Sequence, residues 1–436
     1  MSSHRASPLT RLLQRAAKVE PDETAAVIAS FFLFFCVLGG YFAVRPVRET
    51  VGTLLGADRV ADLFVVTWIA SIGIVPVYGA LCARFRRSAF LPWIYGFVAL
   101  ALLVCGLLLR DNEGSVAAGQ FFYVFISVLN LFVVSVFWSF LLELFRPGQT
   151  KRLFGFIAAG GTAGALAGPL LTSIFVGLIG NDGILFGGAA VFGVAVVLQR
   201  VLLRIWAGKG FEMDGADVPR DRPIGGNPFA GFTLLFKSPY LMGIALFVVL
   251  LASVNTFLYF EQLRIVSDTF TDTEQRTRVF GLLDTTVQSL TIVSQIFLTG
   301  RLATRFGIAI LLTAVPLVMV GGFLALASFH TFGVLAVVMI SRRVGEYAFV
   351  RPGREMLFSR VDTETKYKAK NTIDVPVYRG GDALTGQVDK AISGADMSTG
   401  AIALLGAVVA VVWAVTGFIL GRSRRESEEA EPAAIG

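Results

Sequence analysis

Long apolar runs broken by short polar ones fill the chain. A membrane-crossing helix needs about 20 apolar residues. Twelve segments meet that pattern: 24–44, 60–83, 89–109, 118–145, 153–179, 183–206, 239–263, 279–303, 306–328, 331–350, 372–394 and 398–421. The segment 372–394 is the least apolar, carrying Asp374, Arg379, Asp382, Asp389 and Lys390. The pattern predicts an all-α membrane protein with twelve transmembrane helices.

Basic residues recur in alternate loops: Arg5, Arg11, Arg15 and Lys18, then Arg84, Arg86 and Arg87, then Lys151 and Arg152. Further along come Lys209, Arg220, Arg222 and Lys237, then Arg301 and Arg305, then Lys366, Lys368 and Lys370, then Arg422, Arg424 and Arg425. The positive-inside rule places all of these in the cytoplasm, with both termini. A bacterial inner (plasma) membrane is the expected location. Met1–Glu23 has no apolar core, so the first span is expected to direct insertion.

Composition changes the picture in one respect. The chain has 436 residues, 55% of them hydrophobic and 16% charged, against about 25% charged in a soluble domain. The net charge of +7 lies in the loops, so it reads as orientation and not as a nucleic-acid surface. The expected surroundings are membrane lipid, with no nucleic acid polymer as partner; the expected state is a monomer. Cys36, Cys82 and Cys105 lie in or beside apolar spans and read as small packing residues; with His4 and His330 in polar segments, no metal site is expected. No Walker motif is present, so an ATPase is not expected; separately, the chain is expected to be no enzyme and to carry no cofactor.

Segment 207–238 is rich in Gly, Pro and charge and reads as a linker. It divides the chain into a cytoplasmic tail (1–23), a six-helix bundle (24–206), the linker, a second bundle (239–421) and a second tail (422–436). Phe229, Phe232, Leu235 and Phe236 recur at helical spacing, as a membrane-surface helix or as a lead-in to the next span.

The two halves repeat each other. Gly79-Ala-Leu-Cys-Ala-Arg-Phe85 returns as Gly300-Arg-Leu-Ala-Thr-Arg-Phe306, and Gly160-Gly161 as Gly380-Gly381. Tyr41-Phe-Ala-Val-Arg-Pro-Val-Arg-Glu49 returns as Tyr347-Ala-Phe-Val-Arg-Pro-Gly-Arg-Glu355, and in part as Phe145-Arg-Pro-Gly-Gln149. Six spans, a linker and six more form the major-facilitator pattern of two pseudo-symmetric bundles, each two inverted three-helix repeats. The loops at 79–85 and 300–306 resemble degenerate copies of the major-facilitator loop motif. The usual acidic residue is absent from both, with Ala83 and Thr304 nearby.

The stretch Arg354-Glu355-Met-Leu-Phe, then Lys366-Tyr-Lys-Ala-Lys-Asn-Thr-Ile-Asp374, then Arg379-Gly-Gly-Asp-Ala-Leu-Thr-Gly386 resembles the nucleotide (ATP/ADP) translocases of intracellular bacteria and plastids. The resemblance implies transport or exchange of a nucleotide or other phosphorylated anion by alternating access. Proton-coupled movement of another small solute is the alternative, and a non-transporting scaffold or sensor a third.

A charge at the bilayer centre costs about 2.5–3.5 kcal/mol on insertion scales, so ionisable residues within spans are candidates for function. Arg342 and Glu346 are four apart and can pair along one helical face, with Arg343 turned about 100° away. Arg342 and Arg343 could hold a phosphate or carboxylate through their guanidinium forks, or Arg342 and Glu346 could form an internal ion pair. Arg379 and Asp382, three apart beside Gly380 and Gly381, read either as a site or as a packing surface with its own salt bridge. Asn255 and Tyr259 add polar groups, and Trp138 could stack on a base or sit in the core. Asp284, near the start of its span, is a gate residue, a proton acceptor or a solvated helix end. Arg45, Arg48 and Glu49 at the outer face, and Arg351, Arg354 and Glu355 at the inner, are gates or residues that snorkel to the interface. Glu261, Arg264 and Asp374 join the gating set. Gly160, Gly164 and Gly168 read as a helix-packing face.

Overall fold

A computed structural model describes residues 19–84, 87–111, 115–207, 230–361, 363–395 and 399–430. The predicted N-terminal tail up to residue 18, the linker over 208–229 and residues 431–436 lie outside them. The described residues are helical with short joints and contain no strand.

The α-helices are α1 Thr24–Leu55, α2 Ala57–Arg84, α3 Arg87–Asp111, α4 Val116–Leu144, α5 Pro147–Ala207, α6 Ala230–Lys237 and α7 Pro239–Thr269. Then come α8 Thr273–Ser294, α9 Gly300–Ser328, α10 Phe332–Gly345, α11 Arg351–Leu357, α12 Thr363–Thr372, α13 Tyr378–Ser393 and α14 Thr399–Ala430. Each predicted span is helical over nearly all of its described length, with only end residues such as 145, 331 and 394 outside the helices. Among the described residues, seven helices are long and apolar enough to cross a membrane by length and composition. Apolar side chains stay exposed along them: Trp93 is 80% and Leu178 79% accessible. Such a surface suits lipid and would aggregate in water.

Two glycines break long helices, one in the predicted joint between 179 and 183 and one at the start of the predicted span 306–328. Gly180 in α5 (φ 72°) and Gly307 in α9 (φ 73°) adopt a left-handed backbone that other residues enter only with strain. Three π-turns also interrupt the helices, at Gln295–Thr299 between α8 and α9, Glu346–Val350 between α10 and α11, and Ile373–Val377 between α12 and α13. Such turns cluster at functional sites.

The residues form two compact units. Among the described residues, unit 1 holds those within 19–51, 75–207 and 272–285, and unit 2 those within 52–74, 230–271 and 286–430. Each unit thus takes a segment from the other sequence half: the first part of α8 belongs to unit 1, and most of α2, up to Ile74, to unit 2. In unit 1, α1 and α5 approach so closely that a side chain at Gly160, Gly164 or Gly168 would run into the backbone of Phe31, Phe35 or Gly39. The glycine stripe is therefore a packing face. Phe34 stacks on Phe137 at 4.1 Å between centroids. In the same unit α3 packs on α5, Gly106 lying against Phe186. In unit 2, α9 and α14 pack with Gly406 against Phe323 and Gly417 against the Leu312 carbonyl. The third and sixth spans of each half thus pair in the same way.

Candidate functional site

The buried polar group of unit 2 is built around one carboxylate. Glu346 stands at the start of the Glu346–Val350 π-turn and is 4% accessible. Its Oε2 accepts from Arg342 Nη1 at 3.1 Å and from Asn255 Nδ2 at 3.3 Å. Its Oε1 accepts from Arg351 Nη2 at 3.2 Å and Nε at 3.3 Å. Arg342 also donates to the Asn255 side-chain oxygen, and Asn255 Nδ2 donates to the Tyr378 hydroxyl at 3.0 Å. Residues of α7, α10, α11 and α13 meet here.

The π-turn makes this arrangement possible. In a regular α-helix, residues five apart stand about 140° apart around the axis. The wider turn brings Arg351 back to Glu346, while Arg342 reaches it from the preceding α-helical turn. The turn is braced from beside: Gln295 Nε2 donates to the Tyr347 carbonyl at 3.2 Å, and Thr299 Oγ1 to the Ala348 carbonyl at 2.9 Å. Both donors lie in the Gln295–Thr299 π-turn, so one irregular turn holds another. Arg351 lies over the Tyr347 ring, 4.5 Å from its centroid.

A second carboxylate stands one helix away. Asp382 accepts from Thr256 Oγ1 at 3.0 Å and faces Arg379 Nη1 at 3.5 Å. Trp68 donates to the Pro376 carbonyl at 3.0 Å, at the π-turn that leads into α13. Further along unit 2, Arg354 pairs with Asp374 at 2.9 Å and Lys370 with Glu355 at 2.6 Å. Near the start of α10, Glu261 is buried between Arg264 Nη1 (3.1 Å) and His330 Nε2 (2.8 Å). Arg264 also pairs with Asp389 and donates to Ser393 Oγ at 2.9 Å.

Unit 1 has its own charged group. Glu49 pairs with Arg48 at 2.6 Å and with Arg45 at 3.6 Å. Arg45 also faces Asp284 at 3.6 Å, and Arg48 donates to Ser127 Oγ at 3.0 Å. Below it, Thr50 shares a hydrogen bond with Thr277 at 2.6 Å, and Thr277 donates to Asn181.

Residues 30–352 match the Major Facilitator Superfamily. The chain belongs to that superfamily. It is 21% identical to the ADP,ATP carrier protein 1 of Chlamydia trachomatis serovar D, over 98% of this chain and 95% of that protein. Among solved facilitator structures, the nucleoside transporter NupG aligns with a TM-score of 0.65 at 15% identity, over 92% of this chain and 99% of NupG. A bacterial homologue of the lysosomal transporter Spinster, inward-facing and unoccupied, aligns at 0.63 and 13% identity, covering 93% of this chain and 98% of that one. At these identities the solved structures show the fold only.

Within this facilitator, the structure brings Arg342, Glu346, Asn255 and Arg351 into one group, with Arg379 and Asp382 paired nearby. Arg343 is buried at 5% accessibility. Tyr259 stacks on Phe64 at 5.6 Å between centroids. Trp138 belongs to unit 1, wedged against Phe34, Phe137 and Phe154; aromatic core is its observed setting. Asp284 is 3% accessible and faces Arg45, so the solvated helix end is not what the structure holds. Arg45 and Arg48 pair with Glu49 inside α1, which continues to Leu55. Sequence reasoning missed Tyr378 and Thr256. Each adjoins a residue it had singled out, Arg379 and Asn255, and adjacency to a polar residue within a span was the available signal.

Proposed function

We propose that this facilitator is a secondary transporter that works by alternating access and moves or exchanges a nucleotide or other phosphorylated anion. The observation that carries the reading is the convergence of Arg342, Arg351 and Asn255 on a single buried carboxylate. Guanidinium forks match phosphate oxygens as they match a carboxylate, and the same donors suit a substrate phosphate. The name of the chlamydial relative, an ADP,ATP carrier, supports this choice of solute. Bacterial inner membrane with both termini cytoplasmic is the proposed setting. Ion pairs formed by Arg45 with Asp284, and by Arg264 with Asp389, are proposed as parts that break and re-form during the cycle.

Proton-coupled transport of another solute is the second reading. It is favoured by two carboxylates, Glu346 and Asp382, lying buried within one unit. Uptake that follows a pH gradient without any counter-substrate would select it.

A thermal-shift screen of the purified protein tests the first reading, with nucleotides, sugar phosphates and carboxylates as ligands. Nucleotides should stabilise the wild type, and the shift should vanish in Arg342→Ala and shrink in Arg343→Ala. No shift, or equal shifts in all three proteins, removes the reading.

A further inference from the structure

The candidate site already holds an anion, and that anion is part of the protein. Both oxygens of Glu346 are engaged, by four donor contacts from three side chains. We propose that Glu346 is an internal stand-in for the substrate's anionic group, occupying the Arg342–Asn255–Arg351 donor set until a substrate oxyanion displaces it. The proposal rests on the reading that the unit 2 group is an anion site.

Three observations carry it. A guanidinium buried to the extent of Arg342, 8% accessible, needs an opposite charge, since an unpaired buried charge costs several kcal/mol. The carboxylate meets that need without a ligand. Secondly, the three donors do not all come from one regular helix face. Asn255 comes from α7, and Arg351 reaches Glu346 only through the π-turn. An ordinary intrahelical pair such as Arg342–Glu346 needs neither. Thirdly, Arg351 keeps 55% of its side chain accessible while Glu346 keeps 5%. The site thus has one arm open to an arriving anion and a filled interior.

The chemistry follows as competition. A substrate phosphate takes over the hydrogen bonds of Arg351 and Arg342, and Glu346 is released. Return of the Glu346–Val350 turn to α-helical winding would carry Arg351 around the axis away from Glu346, so substrate binding and the winding of this turn are linked. Gln295 and Thr299, which hold the Tyr347 and Ala348 carbonyls, are positioning residues for that turn. The measured affinity for substrate is then a difference between two anions' hold on the same donors.

The test uses the full chain in lipid nanodiscs, titrated by calorimetry with inorganic phosphate, pyrophosphate and ATP. Glu346→Gln should bind at least about tenfold tighter than wild type, the order expected for removing a competing hydrogen bond to a charged group. Glu346→Asp, which keeps the charge but draws it back by one methylene, should lie between them and serves if the amide variant does not fold. Adding Arg342→Ala to Glu346→Gln should abolish binding. Equal or weaker binding by both Glu346 variants overturns the proposal. Tightening toward phosphate and pyrophosphate with no response to ATP keeps the stand-in and removes the nucleotide reading. ATP bound equally by wild type and both variants keeps the nucleotide reading and removes the stand-in. No binding of any anion to any variant removes both.

Discussion

Arg351 reaches back five residues to Glu346, placing Nη2 3.2 Å from Oε1 across a π-turn. The contact joins the repeated Arg-Pro-x-Arg-Glu motif to the Arg342–Glu346 pair that precedes it. Repacking this turn should therefore disturb the site and not merely the helix. Thr299→Val removes the donor to the Ala348 carbonyl and should cost about 1 kcal/mol of stability. It should also tighten anion binding, because the brace holds the turn in the state in which Glu346 competes for the donors; a purely structural brace would leave binding unchanged. Thermal denaturation and a binding titration on the same sample separate the two.

Glu49 closes the first motif copy, where Glu355 closes the second; it is 5% accessible and faces both Arg45 and Arg48. Glu49→Ala leaves two guanidinium groups without it in a buried setting. Breaking a buried pair from one side costs about 3–5 kcal/mol, so a large fall in the unfolding midpoint is expected. A loss below about 1 kcal/mol would mean that water reaches this group.

Asp62 and Lys390 pair at 2.7 Å, but their side chains are 56% and 38% accessible. An exposed pair contributes about 0–1 kcal/mol. Lys390→Ala should leave the unfolding midpoint nearly unchanged. If the pair also acts as a latch in the transport cycle, Asp62→Lys should impair transport, and adding Lys390→Asp should restore it.

Gly164 lies against Gly39 and the Phe35 carbonyl. Gly164→Val drives a branched side chain into backbone that cannot retreat as a side chain would. Overpacking costs about 1–3 kcal/mol where neighbours can shift, so the loss here should reach or exceed the top of that range. A fluorescence or aggregation melt would show it. A neutral outcome would contradict close approach of α1 and α5.

The sequence showed some of this and hid the rest for definite physical reasons. Arg342 and Glu346 were legible as a pair because they lie one α-helical turn apart. Arg351 was not legible as their companion, because the π-turn breaks the 3.6-residue period on which the inference depends. The end of α1 was placed at residue 44, where Arg45 interrupts the apolar run. In the structure α1 continues to Leu55, since the charges that follow are neutralised by one another and by Asp284. That last partner lies 239 residues away, between Arg45 and Asp284, and no local pattern carries such a contact. The glycine stripe at 160, 164 and 168 was legible because four-residue spacing alone defines a helix face.

Counter-exchange in proteoliposomes tests the central claim most directly. Vesicles containing the full chain are loaded with unlabelled ATP or ADP and presented with labelled nucleotide outside. The account predicts label uptake that depends on internal nucleotide and is lost in Arg342→Ala. Absence of uptake in the wild type, or equal uptake with Arg342→Ala, would contradict it.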